Sequence, residues 1–98
     1  MTREEILFLL SSHMGHLRSM GVSSIALFGS VARNEAGPDS DVDILIEFEA
    51  DAEVGAFEFL DVKEYLEGVL GQEVDLVMPD ALRPRLRRMV MEDAIRVA

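Results

Sequence analysis

LFGSVARNEAGPDSDVDILI, residues 27–46, carries the pattern on which the fold turns. The apolar run Ser24 to Phe28 (SIALF) reads as a short buried strand and stops at Gly29-Ser30. Val31 to Asn34 has room for one brief helical turn, and Glu35 to Ser40 (EAGPDS) is dense in turn formers. Asp41 to Phe48 (DVDILIEF) then alternates as a strand. Val42, Ile44, Ile46 and Phe48 fall on one face and Asp41, Asp43 and Glu47 on the other, with Leu45 interrupting the polar side.

Upstream, Thr2 and Glu5 have capping-box spacing, and Ile6, Leu9, Leu10, Met14 and Leu17 recur at helical intervals. They predict an amphipathic helix over residues 3–19, ended by Met20-Gly21. Downstream, Phe57 to Leu70 predicts a helix with Phe57, Leu60, Tyr65, Leu66, Val69 and Leu70 as candidate buried positions and Gly71 as its C-cap. Glu73 to Met78 (EVDLVM) reads as a third strand stopped by Pro79, Leu82 to Asp93 as a final helix, and Ala94 to Val97 as a short edge strand. The order α-β-α-β-α-β-α implies an α/β (α+β) fold, a sheet with helices packed on it.

With 98 residues and no visible repeat, linker or low-complexity segment, one domain over residues 1–98 is expected. The absence of cysteine excludes disulfide scaffolds, thiolate zinc sites and cysteine nucleophiles. No apolar run approaches the roughly 20 residues that span a bilayer, and the N-terminus lacks a basic, signal-like start, so a soluble cytoplasmic protein with no membrane partner is expected. The net charge of −10 comes from 19 acidic and 9 basic residues. It argues against a passive nucleic-acid-binding surface, which needs a basic footprint. Between Glu35 and Asp80 the only base is Lys63, whereas Arg83, Arg85, Arg87, Arg88 and Arg96 crowd the C-terminal end. A solvated acidic face accounts for this distribution, and so do carboxylates that bind metal ions beside a surface suited to a basic partner; composition does not choose.

Three features can do chemistry. Gly29-Ser30 stands where a strand passes into a helical turn. Glycine allows close approach there, and the first amides of a helix, free of internal partners, can hold a phosphate. Arg33, one turn on, could reach the same phosphates. Asp41 and Asp43 point the same way along a strand, with Cα atoms about 6.5–7 Å apart. Two ionised carboxylates that close are favoured if a divalent cation lies between them, and magnesium suits oxygen ligands of this kind. Asp75 interrupts another apolar strand, where aspartate is disfavoured. If that strand neighbours the first, three carboxylates share one surface, as two-metal phosphoryl transfer requires.

Together these residues resemble the minimal nucleotidyltransferases (MNT domains) of the DNA polymerase β superfamily, whose signature is G-S, ten residues, then D-x-D, here Gly29-Ser30 to Asp41-Val42-Asp43. The resemblance covers about residues 20–97. It implies a nucleotidyltransferase fold with a mixed β-sheet flanked by helices, Ser30 at the triphosphate, and Asp41, Asp43 and Asp75 as ligands of two Mg2+ ions. It also implies Ser40 and Arg33 near the phosphates and ATP as the nucleotide donor. Minimal proteins of this type pair with HEPN ribonuclease toxins, so the resemblance further implies an antitoxin that transfers AMP to a toxin tyrosine, as a homodimer or hetero-oligomer. The alternative is a catalytically silent module that neutralises the toxin by binding. Transfer to a small molecule such as an aminoglycoside ranks below both, because no second domain is available to form the pocket.

Other motifs fail. A calcium loop starting at Asp39 would need glycine at Ile44 and glutamate at Ala50, and no Gly-Lys-Ser/Thr follows Gly29 as a P-loop requires. His13 and His16 lack an evident third metal ligand and have no motif linking them to Ser30. Tyr65, the sole tyrosine, reads as core or helix surface.

Overall fold

The computed structural model, which describes residues 1–97, contains a four-stranded sheet centred on β1 (Val22–Phe28) and β2 (Val42–Phe48). These two pair antiparallel, with Ile25 opposite Ile46 and Leu27 opposite Ile44. β3 (Val74–Val77) joins β2 in parallel, with Val42 opposite Val74 and Ile44 opposite Leu76. β4 (Ile95–Arg96) pairs antiparallel with the far side of β1, so the order is β3-β2-β1-β4 and the sheet is mixed. A parallel pair needs a crossover, which α4 (Ala56–Leu70) supplies between β2 and β3.

Period two gives the sheet unlike faces. Ile25, Leu27, Ile44 and Ile46 meet Ile6 and Leu10 of α1 (Arg3–Ser12), Leu17 of α2 (Met14–Ser19) and Val62, Leu66 and Leu70 of α4 in one cluster, each at most 2% exposed. Burying such a side chain contributes about 1.5–3 kcal/mol, so this core replaces the crosslinks the chain lacks. The opposite face carries Ala26 and Phe28, then Asp43, Leu45 and Glu47, then Asp75 and Val77. Leu45 is buried there too, so that face is only partly wet. α5 (Pro84–Asp93) lies toward the β1–β4 end of this face, where Met91 and Ala94 line a recess of about 180 Å³ with Ala26 and Leu45.

Thr2 and Glu5 form the capping box expected of them, and Gly71 ends α4 in the left-handed conformation (φ 65°). The continuous helix expected over residues 3–19 is instead two. The chain breaks at His13 (φ −100°, ψ 4°), just after Ser12 turns its hydroxyl onto the Phe8 carbonyl, a local bond that competes with the helical ladder. Phe57 and Leu60, expected in the core, are 81% and 50% exposed. The buried stripe of α4 is Val62, Leu66 and Leu70, and at 100° per residue Phe57 lies nearly opposite it. β1 begins two residues earlier than expected, because Val22 is fully buried. β3 stops before Met78 because Pro79–Ala81 forms a 3-10 turn, and α5 starts at Pro84 with proline at its first turn. None of the described helices is long and apolar enough to cross a membrane.

Truncating a core position and an exposed one separates the two sides of α4. Leu66→Ala is expected to cost about 2–5 kcal/mol of unfolding free energy, whereas Phe57→Ser should change it by less than about 0.5 kcal/mol. Urea unfolding followed by circular dichroism measures both.

Candidate active site

The sheet register brings the acidic residues together. Asp43 is flanked by Phe28 on β1 and by Asp75 on β3, directly opposite across the parallel ladder. Paired residues on adjacent strands point to the same face, so the carboxylates of Asp43 and Asp75 are neighbours. Asp41 precedes β2 by one residue and shares the parity of Asp43. Asp41 and Asp75 are exposed, while Asp43 is half-buried.

Gly29 explains how Asp43 fits. It follows Phe28 directly, opens α3 (Gly29–Ala32) and has a φ of 73°. A methyl group at Gly29 would overlap the Asp43 carboxylate and stand 2.9 Å from its Cγ. The position therefore requires glycine twice, for its backbone conformation and for the carboxylate lying against it. Ser30 is the second residue of α3, and its carbonyl accepts the Glu35 amide at 2.8 Å. Ser40, one residue before Asp41, accepts the Gly37 amide on its Oγ at 3.0 Å and donates its own amide to the Gly37 carbonyl at 3.2 Å.

Arg33 caps the C-terminus of α3 one turn above Gly29. Its guanidinium, expected from the sequence to be available to phosphates, is engaged on two sides. Nε donates to Glu35 at 3.2 Å and one terminal nitrogen donates to Asp93, at the end of α5, at 2.8 Å. Spacing in the sequence could not reveal the second contact, which links residues 60 positions apart.

Asp43 has an acidity to match its crowding. Burial, the charge of Asp75, the charge of Asp41 and a hydrogen bond shared with Asp75 all push its carboxyl above the usual carboxylate range, with Arg33 pulling weakly the other way. Hard carboxylate oxygens of this kind are the donors magnesium takes. Among the described residues, no three acidic or histidine side chains stand gathered around one point. Asp43 and Asp75 form the close pair and Asp41 flanks it. A set this sparse fits an ion that draws the rest of its shell from water and phosphate oxygens.

His13 and His16 make no such set either. Tyr65 of α4 shares a 2.5 Å hydrogen bond with Nδ1 of His13, and His16 stacks on its ring at 4.4 Å between centroids. This cluster joins the α1–α2 break to α4 and stands apart from the three aspartates.

Residues 10–97 match the family model for the nucleotidyltransferase domain. Protein adenylyltransferase MntA of Thermococcus cleftensis is 42% identical over 98 residues, which cover 99% of this chain and 97% of the relative. A solved structure assigned to the minimal nucleotidyltransferases superposes with a TM-score of 0.83 at 37% identity, covering 97% of this chain and 95% of the other. The MNT antitoxin solved with the tri-AMPylated HEPN toxin of Shewanella oneidensis shares the fold at a TM-score of 0.66 and 22% identity, over 94% of this chain and 71% of that one. A paired-aspartate strand beside a glycine corner, a mixed sheet and similarity along nearly the whole length agree: the chain belongs to the nucleotidyltransferase domain family, among its minimal members, and is a nucleotidyltransferase.

Proposed function

We propose that the chain is a magnesium-dependent protein adenylyltransferase that transfers AMP from ATP to a tyrosine hydroxyl of a HEPN-family toxin and thereby acts as its antitoxin. The observation that carries this reading is the in-register pair Asp43 and Asp75 against Gly29. A module that only binds gains nothing from holding two acids together at the cost of their repulsion. The likeness to the Thermococcus protein adenylyltransferase and the AMPylated toxin held by the Shewanella antitoxin support the choice of adenylate and of a protein acceptor. The acidic surface suits a basic partner, since complementary charge speeds encounter.

In this reading the Gly29-Ser30 corner receives the triphosphate, with Ser40 and Arg33 beside it. Asp41, Asp43 and Asp75 would hold magnesium, which when bound offsets their charge and that of the phosphates and polarises the phosphorus under attack. Asp75 is exposed on β3, within reach of a hydroxyl brought by another molecule, and accepts its proton as the oxygen attacks. The new bond joins that oxygen to the α-phosphorus, the α–β bridge breaks, and pyrophosphate leaves.

Replacing Asp43 or Asp75 by asparagine is expected to lower transfer of labelled adenylate to the toxin by at least about 1,000-fold, with the fold intact by circular dichroism. Normal transfer by both variants would refute the assignment. If Asp43→Asn still protects cells while the toxin stays unmodified by mass spectrometry, the chain acts by occlusion instead. Gly29→Ala should also abolish transfer, and it should lower stability by about 1–3 kcal/mol because φ is positive and the carboxylate occupies the space.

Stability should move the other way at Asp43. Its carboxyl pKa is raised on folding, so the folded protein holds this proton more tightly than the unfolded chain, and stability is lost as pH rises through the raised value. Asp43→Asn is therefore expected to raise the thermal midpoint of metal-free protein at neutral pH, with the advantage shrinking toward acid pH. Differential scanning fluorimetry across pH in chelating buffer measures it; an advantage that grew toward acid pH would contradict the assignment.

A further inference from the structure

A guanidinium has five N–H donors in one plane. Arg33 spends Nε on Glu35 and one terminal nitrogen on Asp93, and its other terminal nitrogen has no hydrogen-bond partner among the described residues. Both carboxylates are partly exposed, and exposed ion pairs add little to stability. What this pair of contacts fixes is orientation.

Asp93 is not a loose surface acid. It is the last residue of α5 and stands two residues before Ile95, which β4 sets opposite Leu27 of β1. β1 in turn runs through Phe28 into Gly29, and the amide of Arg33 bonds back to the Gly29 carbonyl at 3.1 Å. The chain thus forms a closed ring of contacts from the glycine corner through Arg33 and Asp93 to β4 and back to β1. The positive charge of Arg33 also favours ionised Asp43, so the clamped side chain belongs to the electrostatics of the carboxylate site.

We propose that Asp93 is a positioning residue for nucleotide binding: it holds the Arg33 guanidinium in a fixed plane, with its unengaged nitrogen presented to the phosphates of ATP. This rests on the nucleotidyl-transfer reading above. A planar donor held in advance loses less freedom when a phosphate docks, which is where arginine gains over a point charge. Glu35, only two residues along, steadies the other edge.

The test is a double-mutant cycle on the dissociation constant of Mg–ATP, measured by isothermal titration calorimetry with the full chain. Asp93→Ala and Arg33→Ala should each weaken binding about tenfold. The double variant should be no weaker than Arg33→Ala alone, because Asp93 acts through that side chain. Asp93→Glu should recover most of the affinity, and turnover at saturating ATP in Asp93→Ala should stay within about twofold of wild type. A purely structural role for Asp93 would weaken binding in the Arg33→Ala background as well, and that result overturns the proposal. Unchanged or tighter binding by Asp93→Ala overturns it too, the latter by showing that Asp93 competes with phosphate. If the wild-type chain fails to bind Mg–ATP, the transferase reading itself falls, and the clamp with it; wild-type binding with an indifferent Asp93 removes the clamp alone.

Discussion

Asp43 and Asp75 are held side by side by the backbone register of β2 and β3, and the rest of the site is arranged around that enforced proximity. The same ladder pairs Val42 with Val74 and Ile44 with Leu76 on the opposite face, where all four are buried. A slip of β3 by one residue would turn Asp75 into the core and push Val74 and Leu76 toward water. The hydrophobic core thus supplies the free energy that keeps two like charges together. On its other side Asp43 meets Gly29, where an added side chain would overlap the carboxylate.

The division of labour between the two sheet faces follows from this. One face is sealed by α1, α2 and α4 and provides rigidity. The other carries the acids and is covered only in part, by α5. The candidate site residues lie where the strands change character, at the C-terminal end of β1 and the N-terminal ends of β2 and β3. Even α5, which has no fully buried residue of its own, is tied to this corner through Asp93 and Arg33. The candidate site thus occupies one end of this face, while Leu45 and the residues under α5 fill the other.

Much of this was legible in one dimension. Alternation in DVDILIEF reveals a strand with an acidic face because strand periodicity is two, and Gly29-Ser30 followed after ten residues by Asp41-Val42-Asp43 is a specific spacing. The lone aspartate of EVDLVM stands out because strands seldom tolerate one. What the sequence could not carry was register. That Asp75 stands opposite Asp43, and not one step away, depends on how α4 delivers β3 to the sheet. The buried face of α4 is not legible in its composition because Phe57 and Leu60 are as apolar as Val62 and Leu66, and hydrophobicity alone cannot say which stripe meets the core. The break at His13 follows a Ser12 hydroxyl bonded back to the Phe8 carbonyl, a contact that helical periodicity does not reveal, and the Arg33–Asp93 contact joins residues that only the closing of β4 onto β1 brings together.

The most direct measurement is calorimetric titration of magnesium, or of manganese as its surrogate, into the chain at weakly acidic pH in two buffers of different ionisation enthalpy. If Asp43 and Asp75 are held together to receive a cation, wild-type protein binds the metal and releases a proton as the ion brings the raised pKa of Asp43 back down, and Asp43→Asn does neither. Equal binding by wild type and Asp43→Asn, or wild-type binding with no proton released, would contradict the account.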